Sequence, residues 1–296
     1  MKSSITTEQK EYIIANYPQK GAKHCIDKLK ITKGQLVWFC HNNNIRVTKS
    51  RRKEATGESI NKARNQYKIN HPAKVKVEYF STVNTSQSAY ILGLLWADGY
   101  IYPPHATSIE CLSDDVDVFQ EIFSITGEWA RYDRTRENRK PQSTLHTCNK
   151  DVVNFLVSHG YSSKNNMSAC SIIKQIPDNL LHYWFRGLVD GDGCFYMSPD
   201  KTSRQFCITS SYEQDWKYME NAFNKLGVRY KIKKQISKLG NKSSQIRVTS
   251  PFDIKLFGEW IYENYENDKI GLPRKYEKWK LISESCVAKK LKTKCL

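Results

Sequence analysis

The chain has 296 residues, of which 39% are hydrophobic and 12% aromatic, and it carries a formal net charge of +17 at pH 7. This hydrophobic content is sufficient for a packed core and excludes wholesale disorder. The excess of positive charge predicts an anionic partner, either nucleic acid or an acidic membrane surface. The longest clean apolar run, residues 89–97, is too short to cross a bilayer, and the N-terminus shows no signal-peptide core. We therefore expect an intracellular protein that binds nucleic acid and no membrane. The expected compartment is the cytoplasm of a prokaryotic or phage-infected cell, with an organelle as the alternative.

The N-terminal region has the pattern of three short helices over residues 5–46. Two of these helices begin with a capping-box pattern, in which a threonine precedes a glutamine by three residues: Thr6 with Gln9, and Thr32 with Gln35. A helix, a short turn and a second helix are typical of a DNA-reading module. We therefore predict a small all-α helix-turn-helix region over residues 1–48, in which Lys33 and Gln35 face outward and bind DNA. A plain three-helix bundle is the alternative.

A basic linker is predicted over residues 49–80, where apolar periodicity is poor. Its densest basic run contains Arg51, Arg52 and Lys53. Lysine and arginine side chains in such a run bind phosphates without reading the base sequence. We predict that these three residues contact a nucleic-acid backbone, and a solvated tether is the alternative.

Two stretches of the chain repeat one pattern. Residues 88–99 and 181–193 each form a short apolar helical run with a glycine near its middle, and each ends in a small residue, an aspartate and a glycine. Asp98 and Asp192 are the two aspartates, and the same predicted order of strands and helices follows each of them. Such an internal repeat indicates two related halves. The predicted α+β architecture therefore has three parts: one αββαββα half at 81–167, a second at 168–280, and a basic C-terminal tail at 281–296.

Each of these two helices, called the motif helices below, carries two small residues one turn apart: Gly93 and Ala97 in the first, Gly187 and Gly191 in the second. Residues with this spacing share one helix face, so the two faces can pack with their backbones almost in contact. This packing would bring Asp98 and Asp192 side by side at one end of the pair. Gly99 and Gly193 would then let the chain leave each helix directly into a strand, as glycine does at many helix ends.

Two carboxylates held this close repel each other unless a divalent cation lies between them or one of them stays protonated. Mg²⁺ prefers carboxylate oxygens together with water and substrate phosphate. A metal ion beside a phosphodiester activates water and stabilises the leaving oxygen. With the basic composition, the carboxylate pair predicts hydrolysis of a nucleic-acid backbone with Mg²⁺, for which Mn²⁺ could substitute. The alternative is two core helices that end in acidic caps.

Residues 88–279 resemble a single-chain, two-motif LAGLIDADG homing endonuclease. The resemblance rests on Ile91-Leu-Gly-Leu-Leu-Trp-Ala-Asp-Gly99 and Phe185-Arg-Gly-Leu-Val-Asp-Gly-Asp-Gly193, which match the nine-residue motif at most positions. It implies a monomer with pseudo-twofold symmetry, in which two four-stranded antiparallel sheets form a saddle over the DNA major groove. It also implies that the partner is double-stranded DNA with a long asymmetric target site.

The same resemblance implies a metal site. Asp98 and Asp192 correspond to the family's metal ligands. A backbone group would complete the ligand set in each half: that of Gly99 or Ala97 in the first, and that of Gly193 or Gly191 in the second.

The resemblance further implies catalytic roles for polar side chains around this metal site. Lys164 and Lys275 correspond to the lysines that the family places near the active-site water, after the final helix of each half. Ser113 and Ser210 correspond to polar residues that often order water in the family. Glutamine or asparagine is more usual at these two positions, which leaves the role of the serines open.

Alternation along the predicted strands defines a DNA-binding face. In the second half, a strand predicted over 229–237 places Arg229, Lys231 and Lys233 on one side. Arginine and glutamine can read guanine and adenine edges, whereas lysine holds phosphates. The other predicted contacts lie on neighbouring strands and at a hairpin: Arg204, Gln245 and Arg247 in the second half, and Arg134, Arg136, Arg139 and Lys140 in the first. A solvated surface charge is the alternative for each of them.

The function predicted from these features is that of a site-specific double-strand DNA endonuclease of the homing type. One alternative is a maturase that keeps the fold but binds intron RNA. Another alternative is a catalytically inactive DNA-binding regulator. Both Asp98 and Asp192 are retained, which argues against the inactive regulator.

Overall fold

The computed structural model describes residues 5–48, 50–51, 75–135, 137–138, 140–164, 168–237 and 239–294, and their side chains as far as residue 285. The chain divides into two compact units, Met1–Pro72 and Ala73–Leu296. Within the described ranges, no helix is both long and apolar enough to cross a membrane. Four members of the predicted DNA-binding set lie outside the described residues: Arg52, Lys53, Arg136 and Arg139.

The first unit is helical over most of its described length, with α1 (Thr7–Leu29) and α2 (Lys33–Asn42). Gly21, at φ 76° and ψ −179°, interrupts α1, which therefore consists of two helical segments, as predicted. Both predicted capping boxes are formed, with Thr6 at the start of α1 and Thr32 at the start of α2. The helical segments share a small hydrophobic core: Ile13, Cys25, Leu36, Phe39 and Cys40, among others.

The second unit begins with a short helix, α3 (Glu78–Ser81), and then repeats one order of elements. The first repeat consists of α4 (Ser86–Asp98), β1 (Gly99–Tyr102), β2 (Ala106–Leu112), α5 (Val116–Ser124), β3 (Ala130–Arg134), β4 (Gln142–Thr147) and α6 (Lys150–Ser158). A connection follows, with α7 (Cys170–Ile173) and a 3-10 turn (Asp178–Leu180). The second repeat consists of α8 (Leu181–Asp192), β5 (Gly193–Met197), β6 (Arg204–Ser210), α9 (Lys217–Leu226), β7 (Lys231–Ile236), β8 (Lys242–Val248) and α10 (Pro251–Ile261). The short α11 (Tyr265–Asp268) and the long α12 (Pro273–Lys294) complete the unit. The predicted αββαββα order is therefore confirmed in both halves.

Each repeat folds its four strands into one antiparallel sheet. The strand orders are β1-β2-β4-β3 and β5-β6-β8-β7. The first residue after each motif helix occupies the same place in its sheet, because Gly99 pairs with Ile109 and Gly193 pairs with Ile208. The predicted α+β class, with two antiparallel four-stranded sheets, is thus confirmed.

One hydrophobic core runs through the second unit, and the motif helices α4 and α8 contribute much of it. Every residue of α4 from Ser88 to Ala97 is buried, as is every residue of α8 from His182 to Asp190. The sheets bury one face against the helices and leave the other face open, so successive residues of β1, β4 and β8 alternate in burial. The edge strands β3 and β7 are exposed along their whole length. The motif helices are therefore positioned by packing on all sides, which fixes the aspartates at their ends.

Two segment boundaries differ from those predicted. Val75 and Phe80 are fully buried in the core of the second unit, so the predicted linker at 49–80 extends too far. The predicted tail at 281–296 begins inside α12, where Ile282 is fully buried. Isolated apolar residues in basic sequence carry no periodic signal, and only the distant core that they contact gives them a structural role.

Candidate active site and nucleic-acid interface

The two motif helices contact each other backbone to backbone. A Cβ atom on Gly93 would lie 1.8 Å from the carbonyl oxygen of Trp184, and one on Gly187 would lie 2.1 Å from that of Tyr90. A side chain of any size at either position would overlap the opposite helix. The predicted close packing of α4 against α8 is therefore present, and glycine is required at both crossing positions.

The same packing brings the C-terminal ends of the motif helices together. A Cβ atom on Gly191 would lie 2.4 Å from Ala97 Cβ and 3.0 Å from Asp98 Oδ2. Asp98 therefore lies against the last turn of α8, which ends at Asp192. The two predicted acidic residues, contributed by different halves of the chain, share one site.

Gly99 and Gly193 are needed for a reason that differs from the one predicted. Their φ angles are −67° and −76°, so neither uses the left-handed conformation in which glycine often ends a helix. Instead, a Cβ atom on Gly99 would lie 2.3 Å from the carbonyl oxygen of Leu95, and one on Gly193 would lie 2.6 Å from that of Val189. The immediate step from helix to strand leaves no room for a side chain.

The pKa values of both aspartates are raised above the usual value of an aspartate. Burial raises the pKa of Asp192 to about 6, and the negative charge of Asp98 raises it further. Burial also raises the pKa of Asp98, whereas the charges of Lys164 and Lys275 lower it. Both aspartates keep an exposed, solvent-facing side. A cation bound between them would relieve their repulsion and keep both deprotonated.

The donor set fits a divalent cation of the Mg²⁺ type. This ion binds through one or two carboxylates and completes its coordination with water and phosphate oxygens. Asp98 and Asp192 supply two carboxylates on a side that is open to solvent. Among the residues that the structure describes, no group of three or more histidine, cysteine or acidic side chains could hold a metal. The two carboxylates match the preference of Mg²⁺ for few protein ligands, with water and substrate oxygens as the rest.

Each half also contributes the predicted lysine. Lys164 Nζ donates hydrogen bonds to the carbonyl oxygens of Ala97 and Gly99, at 2.5 and 2.7 Å. Lys275 Nζ donates to the carbonyl oxygen of Gly193. Burial lowers the pKa of both lysines, and nearby aspartates oppose this shift. The carbonyl groups predicted as metal ligands thus accept hydrogen bonds from these lysines, and each oxygen has a second lone pair.

The two serines predicted to order water are both engaged with neighbouring side chains. Ser113 follows the end of β2, and its hydroxyl oxygen is 2.9 Å from that of Ser143. Ser210 ends β6 and donates to Gln214 Oε1 at 2.8 Å. Each serine therefore acts together with a partner that sequence reasoning did not identify.

Gln214 is the functional candidate that the sequence interpretation missed. It is buried, and together with Ser210, Lys164 and Asp192 it lines a small cavity of about 40 Å³. This volume is sufficient for one water molecule, and the polar lining offers it hydrogen-bond partners. The available signal was a glutamine four residues after the end of a strand. It lies in the connection between β6 and α9, which begins only at Lys217.

Residues 180–262 match the family model described as a LAGLIDADG-like domain. The chain matches no curated protein. It is similar in structure to the LAGLIDADG meganuclease I-AabMI bound to uncleaved DNA, with 10% identity, coverage of 71% of this chain and 93% of that chain, and a TM-score of 0.46. It is also similar to the I-SmaMI LAGLIDADG homing endonuclease bound to cleaved DNA, with 14% identity, coverage of 70% and 91%, and a TM-score of 0.43. For I-DmoI in complex with DNA and Mn, the identity is 15%, the coverage is 60% and 97%, and the TM-score is 0.42.

The residues that match this family model contain Asp192 and the second sheet, whereas Asp98 comes from the preceding repeat. Lys275 lies beyond the matched residues, in α12. The candidate active site is therefore built from the matched residues, the preceding repeat and the helix that follows.

The open face of the second sheet carries four of the six DNA-binding residues predicted in the second half. Lys231 pairs with Arg247, and Lys233 pairs with Gln245, across β7 and β8. Residues that pair across strands lie on the same face, so these four side chains form one surface. Arg247 Nε donates to Gln245 Oε1 at 3.2 Å, which orients the guanidinium within this surface.

Arg229 and Arg204 do not belong to this surface. Arg229 precedes β7, and its guanidinium donates to Asp253 at 2.8 Å and to Ser250 at 3.2 Å. Arg204 is buried, and its Nε donates to Ser285 in α12 at 2.8 Å. The prediction differs from the structure because strand alternation shows neither where β7 begins nor which strand edge a distant helix covers.

The other described members of the predicted set lie at the surface or take part in local structure. Arg134 ends β3, and Lys140 lies in the hairpin that follows, both exposed. In the first unit, Lys33 is exposed at the start of α2. The side-chain oxygen of Gln35 accepts a backbone hydrogen bond in the capping box, so its predicted outward role is shared with helix capping. The backbone nitrogen of the half-buried Arg51 donates to Thr48 Oγ1.

The open face of the first sheet has a different chemistry. Tyr100, Tyr102 and Tyr132 are each 59–60% exposed there. The rings of Tyr100 and Tyr102 are 5.0 Å apart, and those of Tyr132 and His146 are 4.8 Å apart. Strand register places Glu110 on the same face. Sequence reasoning looked for cations and so missed this aromatic surface.

Proposed function

We propose that the protein is a site-specific endonuclease that uses a divalent metal to hydrolyse both strands of double-stranded DNA. The observation that supports this most directly is the meeting of Asp98 and Asp192 at one end of two packed helices, each beside its own lysine. Each acid is followed by its own sheet, so one chain contains everything that two strand cleavages need. This arrangement supports a monomer.

In the proposed reaction, Asp98 and Asp192 would hold Mg²⁺. The bound ion would supply Lewis-acid chemistry, which activates water and stabilises negative charge on a phosphodiester. Lys164 and Lys275, anchored to carbonyl groups at the start of β1 and β5, place positive charge beside the scissile phosphates. Such fixed charge stabilises the negative charge that develops during hydrolysis. Gln214 orients a water molecule in the cavity beside Asp192.

We propose a long, asymmetric DNA target because the two sheets have different open faces. Lys231, Lys233 and Arg247 suit phosphates and guanine edges. The tyrosine-rich face of the first sheet suits apolar contacts with bases. Lys33 of the first unit and the basic segment after residue 48 extend the contact with additional phosphates.

Selection of cleaved sequences from a random double-stranded DNA library tests this proposal. In Mg²⁺ or Mn²⁺, the protein is expected to cut one family of sequences on both strands. In Ca²⁺, whose coordination geometry is looser, it is expected to bind the same sequences without cutting them. If no duplex is cut in Mg²⁺ or Mn²⁺, the proposal is contradicted.

Binding of intron RNA, as by a maturase, is a second candidate function. It is favoured by the exposed Tyr100, Tyr102 and Tyr132, because aromatic side chains stack on unpaired bases. Competition between a labelled structured RNA and duplex DNA separates the two functions. RNA binding that duplex DNA does not displace, and that Tyr132→Ala removes, would favour the maturase.

A further inference from the structure

The second motif helix buries two charged side chains that have no charged counterpart in the first. Arg186 is fully buried, and Asp190, one turn later, is 2% exposed. The corresponding positions of α4 in the repeat are Leu92 and Trp96. Burying a charged group is costly unless it is paired and hydrogen-bonded. The contacts of Arg186 and Asp190 therefore indicate which structural role these two charges have in the second half.

Asp190 caps a helix that is distant in sequence. Its Oδ2 atom accepts hydrogen bonds from the Tyr90 hydroxyl of α4 and from the backbone nitrogen of Leu272, both at 2.7 Å. Leu272 directly precedes α12, where unpaired N–H groups and the helix dipole favour a negative charge. A Cβ atom on Gly271 would lie 3.0 Å from this carboxylate oxygen, so the chain approaches it closely. Asp190 thereby ties the start of α12 to the motif helices.

Arg186 fixes the connection that leads to α12. Its Nε donates to the carbonyl oxygen of Ile261 at 2.6 Å, and its two terminal nitrogens donate to those of Ile270 at 2.7 Å and Glu263 at 2.6 Å. It also forms an ion pair with Asp268 at 3.2 Å. Carbonyl groups at the end of α10 and in the following turns have no partner within a helix. One buried guanidinium therefore satisfies them and holds the whole connection.

The residue positioned by these contacts is Lys275, in the first turn of α12. Its backbone nitrogen donates to the carbonyl oxygen of Leu272 at 3.0 Å, and its Nζ donates to that of Gly193, next to Asp192. Hydrogen bonds therefore connect α8 to the start of α12 at two points, from Asp190 to Leu272 and from Gly193 to Lys275. Displacement of the first turn of α12 would therefore move the lysine away from the active site.

We propose that Arg186 and Asp190 are positioning residues that hold Lys275 at the second-half active site, so that hydrolysis of one of the two DNA strands depends on them. This inference rests on the proposed nuclease function. Neither residue touches the substrate, because both are buried.

The first half holds its lysine by different contacts. Tyr161, three residues before Lys164, donates to the carbonyl oxygen of Leu92 at 2.9 Å. Its ring packs edge-on against Trp96, with centroids 5.0 Å apart. An aromatic contact and one neutral hydrogen bond thus do in this half what an arginine and an aspartate do in the other. The two lysines can therefore be disturbed independently.

Strand-resolved cleavage of a target duplex with a different label on each strand tests the proposal. Asp190→Ala removes both hydrogen bonds at Oδ2, and Asp190→Asn removes the charge while keeping the shape and one acceptor. With Asp190→Ala, cleavage of one strand is expected to slow on the order of 10- to 100-fold, because small displacements of catalytic groups have effects of that size. A smaller slowing is expected with Asp190→Asn. The other strand should be cut at its usual rate, and nicked duplex should accumulate. Tyr161→Phe is the matched variant of the first half and is expected to slow the opposite strand.

Amine labelling of the metal-free protein, read by mass spectrometry, gives a second measurement that needs no cleavage. Modification of Lys275 is expected to increase in both Asp190 variants, whereas modification of Lys164 should stay the same. Equal slowing of both strands, or unchanged labelling of Lys275 in folded Asp190→Asn, would overturn the proposal. If the protein cuts no DNA but the labelling changes as expected, the proposed nuclease function fails and the positioning of Lys275 by Asp190 stands.

Discussion

Replacing Gly93 with alanine is expected to force the motif helices apart and to abolish cleavage. The added Cβ atom would lie 1.8 Å from the carbonyl oxygen of Trp184 and 2.7 Å from its carbonyl carbon, and real Cβ contacts essentially never fall under 3.0 Å. The obstructing atoms are backbone, so no change of rotamer can relieve the overlap. The helices must therefore separate by more than about 1 Å in an interior that is otherwise close-packed.

The energetic cost of this separation follows from how cores respond to overpacking. An added methylene in a well-packed core costs about 1–3 kcal/mol and occasionally more. For Gly93→Ala we expect the upper end, about 3 kcal/mol of unfolding free energy, because a rigid contact is opened between two helices at the centre of the core. This is a large share of the ~5–15 kcal/mol that stabilises a typical domain. The aspartates at the helix ends would also move apart.

Guanidinium-induced unfolding, followed by circular dichroism, measures this loss of stability. Cleavage is then measured under conditions in which the variant is folded. Gly34→Ala is the control, because a Cβ atom on Gly34 would meet only Thr32 Oγ1, at 4.0 Å. It is expected to leave stability unchanged or to raise it by up to about 1 kcal/mol, since alanine favours helix. A Gly93→Ala protein as stable and as active as the unaltered one would show that the two helices do not need glycine at this crossing.

Three further predictions follow from the site and its surfaces. Burial raises the pKa of Asp192 to about 6, so protons compete with the metal below that pH. Calorimetry should therefore show that the affinity for Mg²⁺ rises with pH by up to about tenfold per pH unit below pH 6 and is constant above it. An affinity that does not change with pH would contradict this prediction. Lys231→Ala and Lys233→Ala should each make the plot of log DNA affinity against log salt concentration less steep, by about 0.9 in slope. Tyr132→Ala should weaken DNA binding without changing this slope. Equal slopes in all three variants would contradict the assignment of phosphate contacts to the second sheet and base contacts to the first. Gln214→Leu should slow single-turnover cleavage by about 10-fold or more without changing DNA affinity, because the cavity beside Asp192 loses a polar side chain. An unchanged cleavage rate would show that Gln214 has no part in cleavage.

The repeat in the sequence was sufficient to predict the architecture and the acidic pair. Small residues one turn apart predict which helix faces meet, and the step from aspartate to glycine to strand places Asp98 and Asp192 at the junction. Strand alternation also predicts correctly that Lys231 and Lys233 share a face with residues of β8. These inferences succeed because they depend on local periodicity, repeated twice within one chain.

Features that depend on contacts between distant segments could not be predicted in this way. Arg204 looks like a surface cation, but α12 covers it, and the length of that helix is not evident from its basic sequence. Arg186 and Asp190 stand at motif positions, yet most of their partners lie 75 to 84 residues further along the chain, and Tyr90 lies 100 residues before Asp190. Gln214 gains its place in the cavity from a turn whose shape depends on the packing around it. In each case the role of the residue depends on a contact with another segment, and the spacing of residues in the sequence does not show which segment that is.

The substitutions Asp98→Asn and Asp192→Asn test directly whether the paired carboxylates hold the catalytic metal. Each substitution keeps the side-chain shape and removes one charge at the junction of the motif helices. Both strands of a selected target duplex are followed in Mg²⁺, and binding of the same duplex is measured in Ca²⁺. We expect each single variant to bind the duplex but to make no double-strand break. Double-strand cleavage at the unaltered rate by both single variants would contradict it.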